Sequence, residues 1–276
     1  MDGIARHLSW SVGATLAECP IWIPEAGLLA WVDILGPTYN LLDPMTGINR
    51  ASPVHAKIGS AAPLSAGEAI LALEDGLWLF QQGKPLRPLP SPDMRGVHFN
   101  DGKRDPAGRF WVGTRANDGS PGGGALYRID HQRQVACMAT GFDVPNGMGW
   151  SADGRYFYLI DTVPRLLYRY DFDLAGGTIS NRVIVHRFEN SIGKPDGMTV
   201  GSDGTIWCAM WDGGGIALLS PDGPQIAWFP TPCRRPTSCA FGGDGLRTLF
   251  VTTAAYGLDP ADARFGDAGS ILAFRI

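Results

Sequence analysis

Four polar residues stand at one register of a repeating pattern in this chain. Asn100, Asn146 and Asp196 each lie eight positions ahead of a turn glycine, and Glu18 lies four ahead of Trp22 as Asn146 lies four ahead of Trp150. Their surroundings are those of a packed strand, as in Ala17-Glu18-Cys19-Pro20-Ile21-Trp22, where an uncompensated carboxylate is costly to bury. Two carboxylates and two carboxamides brought together would hold one divalent cation. Glu18 and Asp196 would neutralise the ion, and Asn146 and Asn100 would add amide oxygens with positions left for water. By hardness the set suits Ca²⁺, Mg²⁺ or Mn²⁺, calcium foremost, with Zn²⁺ or Fe²⁺ taken up when abundant. The competing reading is that these side chains hydrogen-bond neighbouring strands and hold the fold together. Gly59 and Thr237 occupy the register in the two remaining copies.

The third copy, Gly96-Val97-His98-Phe99-Asn100-Asp101-Gly102-Lys103, is the richest in polar groups. Strand alternation sets His98 and Asn100 on one face. Asp101 follows at the strand mouth, where it could bind substrate hydroxyls or capture a proton, or simply form an Asx turn ahead of Gly102. The ten residues from Arg115 to Gly124 make a long connection for a hairpin, which suits a lid or specificity loop as well as a solvated turn. Neither G-x-S-x-G nor H-E-x-x-H occurs, and Gly213-Gly214-Gly215 follows no strand-to-helix pattern, so no phosphate cradle is expected.

The elements that must position these residues are short strands. Apolar or aromatic runs are broken by turn signals about every ten residues, and no helical period survives. Gly27, Gly67, Gly108, Gly154, Gly204 and Gly245 each precede such a run at intervals of 40, 41, 46, 50 and 41 residues. A period near 44 is that of one four-stranded propeller blade. The expected fold is therefore all-β, a six-bladed β-propeller of four-stranded blades. Too little chain follows the sixth copy for two outer strands, so residues 6–12 should pair with residues 270–276 and close the ring.

The 276 residues include 37 Gly and 21 Pro, a turn-rich composition read as a single domain over residues 1–276. The net charge of −4 and the lack of any Lys/Arg run argue against nucleic acid. No apolar stretch approaches a membrane span, and residues 1–20 lack a basic start with an apolar core, so a cytoplasmic protein is expected. Five cysteines, with no C-x-x-C, argue against a disulfide framework and a thiolate zinc site.

At these residues the sequence resembles the senescence-marker-protein/gluconolactonase family, which includes regucalcin and bacterial sugar lactonases. The matching stretches are Ala17-Glu18-Cys19-Pro20 with Trp31-Val32-Asp33-Ile34, Phe99-Asn100-Asp101-Gly102-Lys103 through Phe110-Trp111-Val112-Gly113-Thr114, and Pro145-Asn146-Gly147-Met148. Lys194-Pro195-Asp196-Gly197-Met198 and Ser238-Cys239-Ala240-Phe241-Gly242-Gly243 complete the set. The resemblance implies one divalent cation held by Glu18, Asn146 and Asp196, with Asn100 close to both metal and substrate. It also implies that Asp101, position 98 and Asp118 face sugar hydroxyls. Two positions depart from the family pattern. His98 stands where an arginine is usual, removing a permanently charged bidentate donor, and Cys19 stands where glycine is usual. The expected activity is metal-dependent opening of a sugar-derived lactone, with Asp196 or the ion itself activating the attacking water. A phosphotriesterase-type hydrolase and a non-catalytic calcium-binding propeller are the alternatives.

Overall fold

Turn glycines set the architecture. In the computed structural model, which describes residues 6–261 and 266–276, five of the six repeat glycines take positive φ, from +62° at Gly245 to +88° at Gly108. Gly67 alone stays outside the left-handed region and serves a tighter Ser65-to-Glu68 connection. Each glycine reverses the chain between the first and second strand of a blade.

The first blade comprises β2 (Ala17–Ile23), β3 (Leu28–Asp33), β4 (Thr38–Leu42) and β5 (Asn49–Pro53), paired antiparallel in that order. The second comprises β6 (Ile58–Ser65), β7 (Glu68–Leu73), β8 (Gly76–Gln81) and β9 (Arg87–Pro88). Its outermost strand is only two residues long, because Pro85, Pro88 and Pro90 withhold the N–H groups that further pairing needs. The third holds β10 (Val97–Arg104), β11 (Phe110–Ala116), β12 (Gly124–Ile129) and β13 (Val135–Phe142). The fourth holds β14 (Pro145–Trp150), β15 (Tyr156–Asp161), β16 (Leu166–Asp173) and β17 (Thr178–Arg187). The fifth holds β18 (Lys194–Val200), β19 (Ile206–Trp211), β20 (Gly215–Leu219) and β21 (Gln225–Pro230).

The sixth blade is built from both chain ends. Its strands β22 (Pro236–Gly242), β23 (Thr248–Thr253) and β24 (Ile271–Arg275) are completed by β1 (Arg6–Trp10), with Ser9 opposite Leu272 and Trp10 opposite Ile271. The chain thus forms a six-bladed β-propeller closed by its termini, which leaves no sheet edge between first and last blades.

Second strands alternate between neighbours. In β19, Ile206, Cys208 and Met210 pack toward the fourth blade, whereas Trp207 and Ala209 pack toward the sixth. In β3, Ala30 and Val32 face the second blade while Leu29 and Trp31 face the sixth. Each junction between blades therefore has its own apolar core, the third-to-fourth one built around Trp111, Trp150, Phe157 and Phe172. Each fully buried large side chain contributes roughly 1.5–3 kcal/mol. The cores lie between sheets, so the ring axis is free for polar groups. No helix among the described residues is long and apolar enough to cross a membrane.

Candidate active site

Every inner strand is irregular at the register occupied by Glu18, Gly59, Asn100, Asn146, Asp196 and Thr237. The pairing slips between Glu18 and Ile21, Ile58 and Ser60, Phe99 and Gly102, Pro145 and Met148, Pro195 and Met198, and Pro236 and Ser238. A β-bulge inserts one residue against the partner strand and re-aims the side chain there. Six bulges at one level turn the polar residues out of the blade-packing alternation and toward the axis.

Two copies of one further device hold the strands that carry Glu18 and Asn146. Asp33 accepts the backbone N–H groups of Thr15 and Leu16 at 2.8 and 3.0 Å, and Asp161 accepts those of Asp143 and Val144 at 3.1 and 2.8 Å. Each aspartate lies 15 residues after the residue it serves, a repeat visible in the sequence but not used there. Burial pushes the Asp161 carboxyl upward, against the pull of its two N–H donors.

Within the cluster, Asn146 donates its Nδ2 to Asp196 Oδ1 at 2.6 Å and to Thr162 Oγ1 at 3.0 Å. Both of its N–H groups are thereby spent, and Oδ1 of Asn146 receives no donor from the described residues. Asp196 and Asn146 are buried, at 7% and 6% exposure. Glu18 is half-buried by its surface, yet its carboxyl is walled in by protein and accepts one long bond from Cys19 N–H at 3.3 Å. Burial raises the Glu18 carboxyl well above its usual range, and the charges of Asp196 and Asp101 raise it further. Burial likewise lifts Asp196 to about 8, with the Asp101 charge adding to the rise and Asn146 opposing it. Asp101 is itself raised by burial and eased by the Lys103 ammonium; its Oδ1 accepts Gly102 N–H at 2.7 Å.

Three carboxyl groups are therefore crowded together where burial disfavours their ionised forms. Lys103, reaching from the third blade to Met198 O of the fifth at 2.6 Å, is the cation that eases Asp101. Among the described residues, no three His, Cys, Asp or Glu side chains form a metal-holding group. A cation here would have to take Glu18, Asp196 and the unengaged amide oxygen of Asn146. These hard oxygen donors, with spare lone pairs and mutual repulsion, fit that role.

The two register positions without a carboxylate or carboxamide have structural explanations. A Cβ at Gly59 would meet Phe99 O at 2.4 Å, so the second and third blades approach too closely there for a side chain. Thr237 is fully buried, donating to Ala17 O at 2.6 Å beside Glu18. Asn100 donates to Pro145 O at 3.1 Å. Blade-to-blade bonding is thus part of what this register does. Cys19 takes φ +52°, the left-handed conformation that glycine adopts without cost. Its buried Sγ points at Gly102 O, 3.3 Å away.

Beside the cluster lies a cavity of about 490 Å³, lined by Gly59, His98, Asn100, Arg115 and Asn117 among others. His98 Nδ1 is 2.5 Å from Asn117 Oδ1. Asp118 does not line the cavity; it is exposed and its Oδ1 accepts the N–H and hydroxyl of Ser120 at 2.9 and 2.7 Å. The structure thus brings His98 and Asn100 together and adds Asn117 and Arg115, which sequence reasoning placed only within a loop.

A ring of six four-stranded blades whose inner strands bring Glu18, Asn146 and Asp196 together defines the class as a six-bladed β-propeller with a polar cluster between blades. Residues 16–255 match the family model described as the SMP-30/gluconolactonase/LRE-like region, and the chain belongs to that family. It is 36% identical to the pentonolactonase of Haloferax volcanii over 95% of this chain and 90% of that one. It is also 36% identical to the 6-deoxy-6-sulfogluconolactonase of Pseudomonas putida, over 87% and 84%. Among solved structures, the calcium-binding protein regucalcin from Agrobacterium tumefaciens superposes with a TM-score of 0.89 at 26% identity, covering 98% of this chain and 93% of that one.

Proposed function

We propose that this protein is a divalent-cation-dependent lactonase that opens a sugar-derived lactone to its hydroxy acid. The observation that carries the reading is the convergence of Glu18, Asn146 and Asp196 from three blades at one bulged level, beside a cavity lined by His98, Asn100 and Asn117. The lactonase names of its relatives support the same reading.

Glu18, Asn146 and Asp196 would hold the ion, calcium by the hardness of the donor set. When bound, it would supply Lewis-acid polarisation of the lactone carbonyl. Asn100, half-buried between ligands and cavity, orients the ring. His98 and Asn117 read hydroxyls from the cavity wall, whereas Asp118, exposed and bonded to Ser120, stands off that wall. Asp196 accepts the proton of the water that attacks the carbonyl carbon. As the new C–O bond forms, the ring C–O bond breaks and that proton passes to the departing ring oxygen. Lactone and water thereby become hydroxy acid. Asp101, expected at the strand mouth, is instead buried within β10 and outside the cavity lining, so its charge bears on Glu18 and Asp196 rather than on substrate hydroxyls.

Proton release from a panel of aldonolactones, with and without chelator, tests this. Turnover should disappear with chelator and return with divalent salt. Asp196→Asn and Glu18→Gln should each lower metal affinity by more than about 100-fold, the upper end for a change in a supporting residue. Full kcat in metal-loaded Asp196→Asn would remove Asp196 as the base. Tight metal binding without turnover of any lactone would favour a non-catalytic calcium-binding propeller.

A further inference from the structure

Arg115 is the one charged residue of the cavity whose guanidinium is partly buried and makes no hydrogen bond or ion pair among the described residues. It sits on β11 directly opposite His98 of β10. Its Nε is shielded from solvent and has no acceptor. It lines the same cavity as His98, Asn100 and Asn117. A buried Nε without a carboxylate or carbonyl is costly, since that donor goes unused beside Leu16, Ile34, Leu35 and Phe99. Lys57 and Glu74 also border the cavity, but both are exposed and opposite in sign, so Arg115 is the charge in excess.

We propose that Arg115 makes this site selective for an acidic lactone, one carrying a second anionic group remote from the ring carbonyl. The guanidinium fork pairs that group, with a carboxylate suiting its two parallel N–H donors and a sulfonate offering the same acceptor geometry. The inference rests on the lactonase reading and adds the substrate class. Asn100 lines the cavity and donates to the carbonyl of Pro145, the residue before Asn146, so a substrate whose carbonyl lies at Asp196 extends its far end toward Arg115 and His98.

The test uses a matched pair, D-glucaro-1,4-lactone and D-glucono-1,4-lactone, which share a ring and differ in a carboxylate against a hydroxymethyl group. The metal-loaded protein should favour the acidic member in kcat/KM. Arg115→Gln should erase the preference, raising KM for the acidic member by about tenfold or more beyond any change for the neutral member, and Arg115→Lys should restore part of it. Replacing the carboxylate by a C6 sulfonate separates the two anion types. A second readout is independent of turnover: with chelator present, the acidic lactone should raise the melting temperature of the wild-type protein and not that of Arg115→Gln. No preference in the wild-type protein, or a preference that survives Arg115→Gln, overturns the proposal while leaving lactonase activity intact. Arg115-dependent binding of the acidic lactone without turnover of either compound would keep Arg115 as an anion site and remove the lactonase reading.

Discussion

Asn146, on the inner strand of the fourth blade, donates a hydrogen bond of 2.6 Å to Asp196 on the inner strand of the fifth. This bond joins two of the proposed ligands, and with the second N–H given to Thr162 it leaves the amide oxygen without a donor among the described residues. A neutral amide cannot offset a carboxylate as a cation can. Burial and the Asp101 charge therefore favour the protonated form of Asp196, and an external cation would favour the ionised form.

A pH dependence follows for the metal-free protein. The folded-state affinity of Asp196 for its proton is raised from an ordinary 3.8 to about 8, so the folded state holds more protons than the unfolded state in between. The associated stability is fully present below about pH 4 and is lost as pH rises through 8. Asp196→Asn lacks this contribution and keeps only that of the raised Glu18 and Asp101 carboxyls. With chelator present, the melting temperature of the wild-type protein should fall relative to that of Asp196→Asn by roughly 5 °C or more between pH 5 and pH 8. Millimolar calcium should reverse the fall in the wild-type protein alone. A difference between the two that is constant across this range would mean that Asp196 titrates normally.

Asp33 and Asp161 should behave as positioning residues. Each satisfies two backbone N–H groups immediately before a proposed ligand strand. Asp161→Ala leaves both donors unpaired and should cost about 1–3 kcal/mol in stability. It should also weaken metal binding by about 10–100-fold, as supporting residues of metal sites do. Calorimetric titration of calcium into Asp161→Ala and Asp33→Ala checks this, and wild-type affinity in both would restrict the aspartates to a folding role.

The buried ion pair of Asp105 and Arg109 should govern stability without touching the site. Arg109 Nε meets Asp105 Oδ2 at 2.6 Å, Trp111 Nε1 donates to the same oxygen at 3.0 Å, and the guanidinium reaches Leu174 O and Ala175 O of the fourth blade. Arg109→Met strands a buried carboxylate and should destabilise by about 3–5 kcal/mol, whereas adding Asp105→Leu should recover much of the loss. Denaturant melts of the single and double variants measure this, and a double variant no more stable than Arg109→Met would contradict it.

Thiol chemistry should be confined to one residue. Cys137 is exposed, while Cys19, Cys208, Cys233 and Cys239 are buried. Burial also raises the thiols of Cys19, Cys208 and Cys239, which disfavours the reactive thiolate. Native protein treated with iodoacetamide should take up about one equivalent, at Cys137 by peptide mapping, and five once unfolded. Rapid labelling of Cys19 in the native protein would show that the strand carrying Glu18 opens.

The sequence by itself determined the repeat and therefore the ring. Turn glycines near every 44 residues mark six blades, and alternating apolar second strands require a core on both faces of each. The short remainder after Gly245 required the N-terminal strand to close the sixth blade. It also determined which residues share a level, because Glu18, Asn100, Asn146 and Asp196 keep fixed offsets from local signals.

Tertiary structure decided how that level is used. The bulges that turn these side chains inward are properties of paired strands, and no local spacing announces them. Gly59 is a glycine because Phe99 O comes within contact distance from the next blade, and Thr237 is a threonine because it bonds Ala17 O, 220 residues away. Asp33 and Asp161 look like ordinary strand-end aspartates until the loops they hold are folded against them. Arg115 reads as one residue of a polar loop, and only the approach of three blades around a shared cavity shields its Nε with no acceptor among the described residues. Local sequence encodes turns and faces through short-range sterics and periodic burial. The charge balance of the site depends on groups that meet only when distant strands close around one axis.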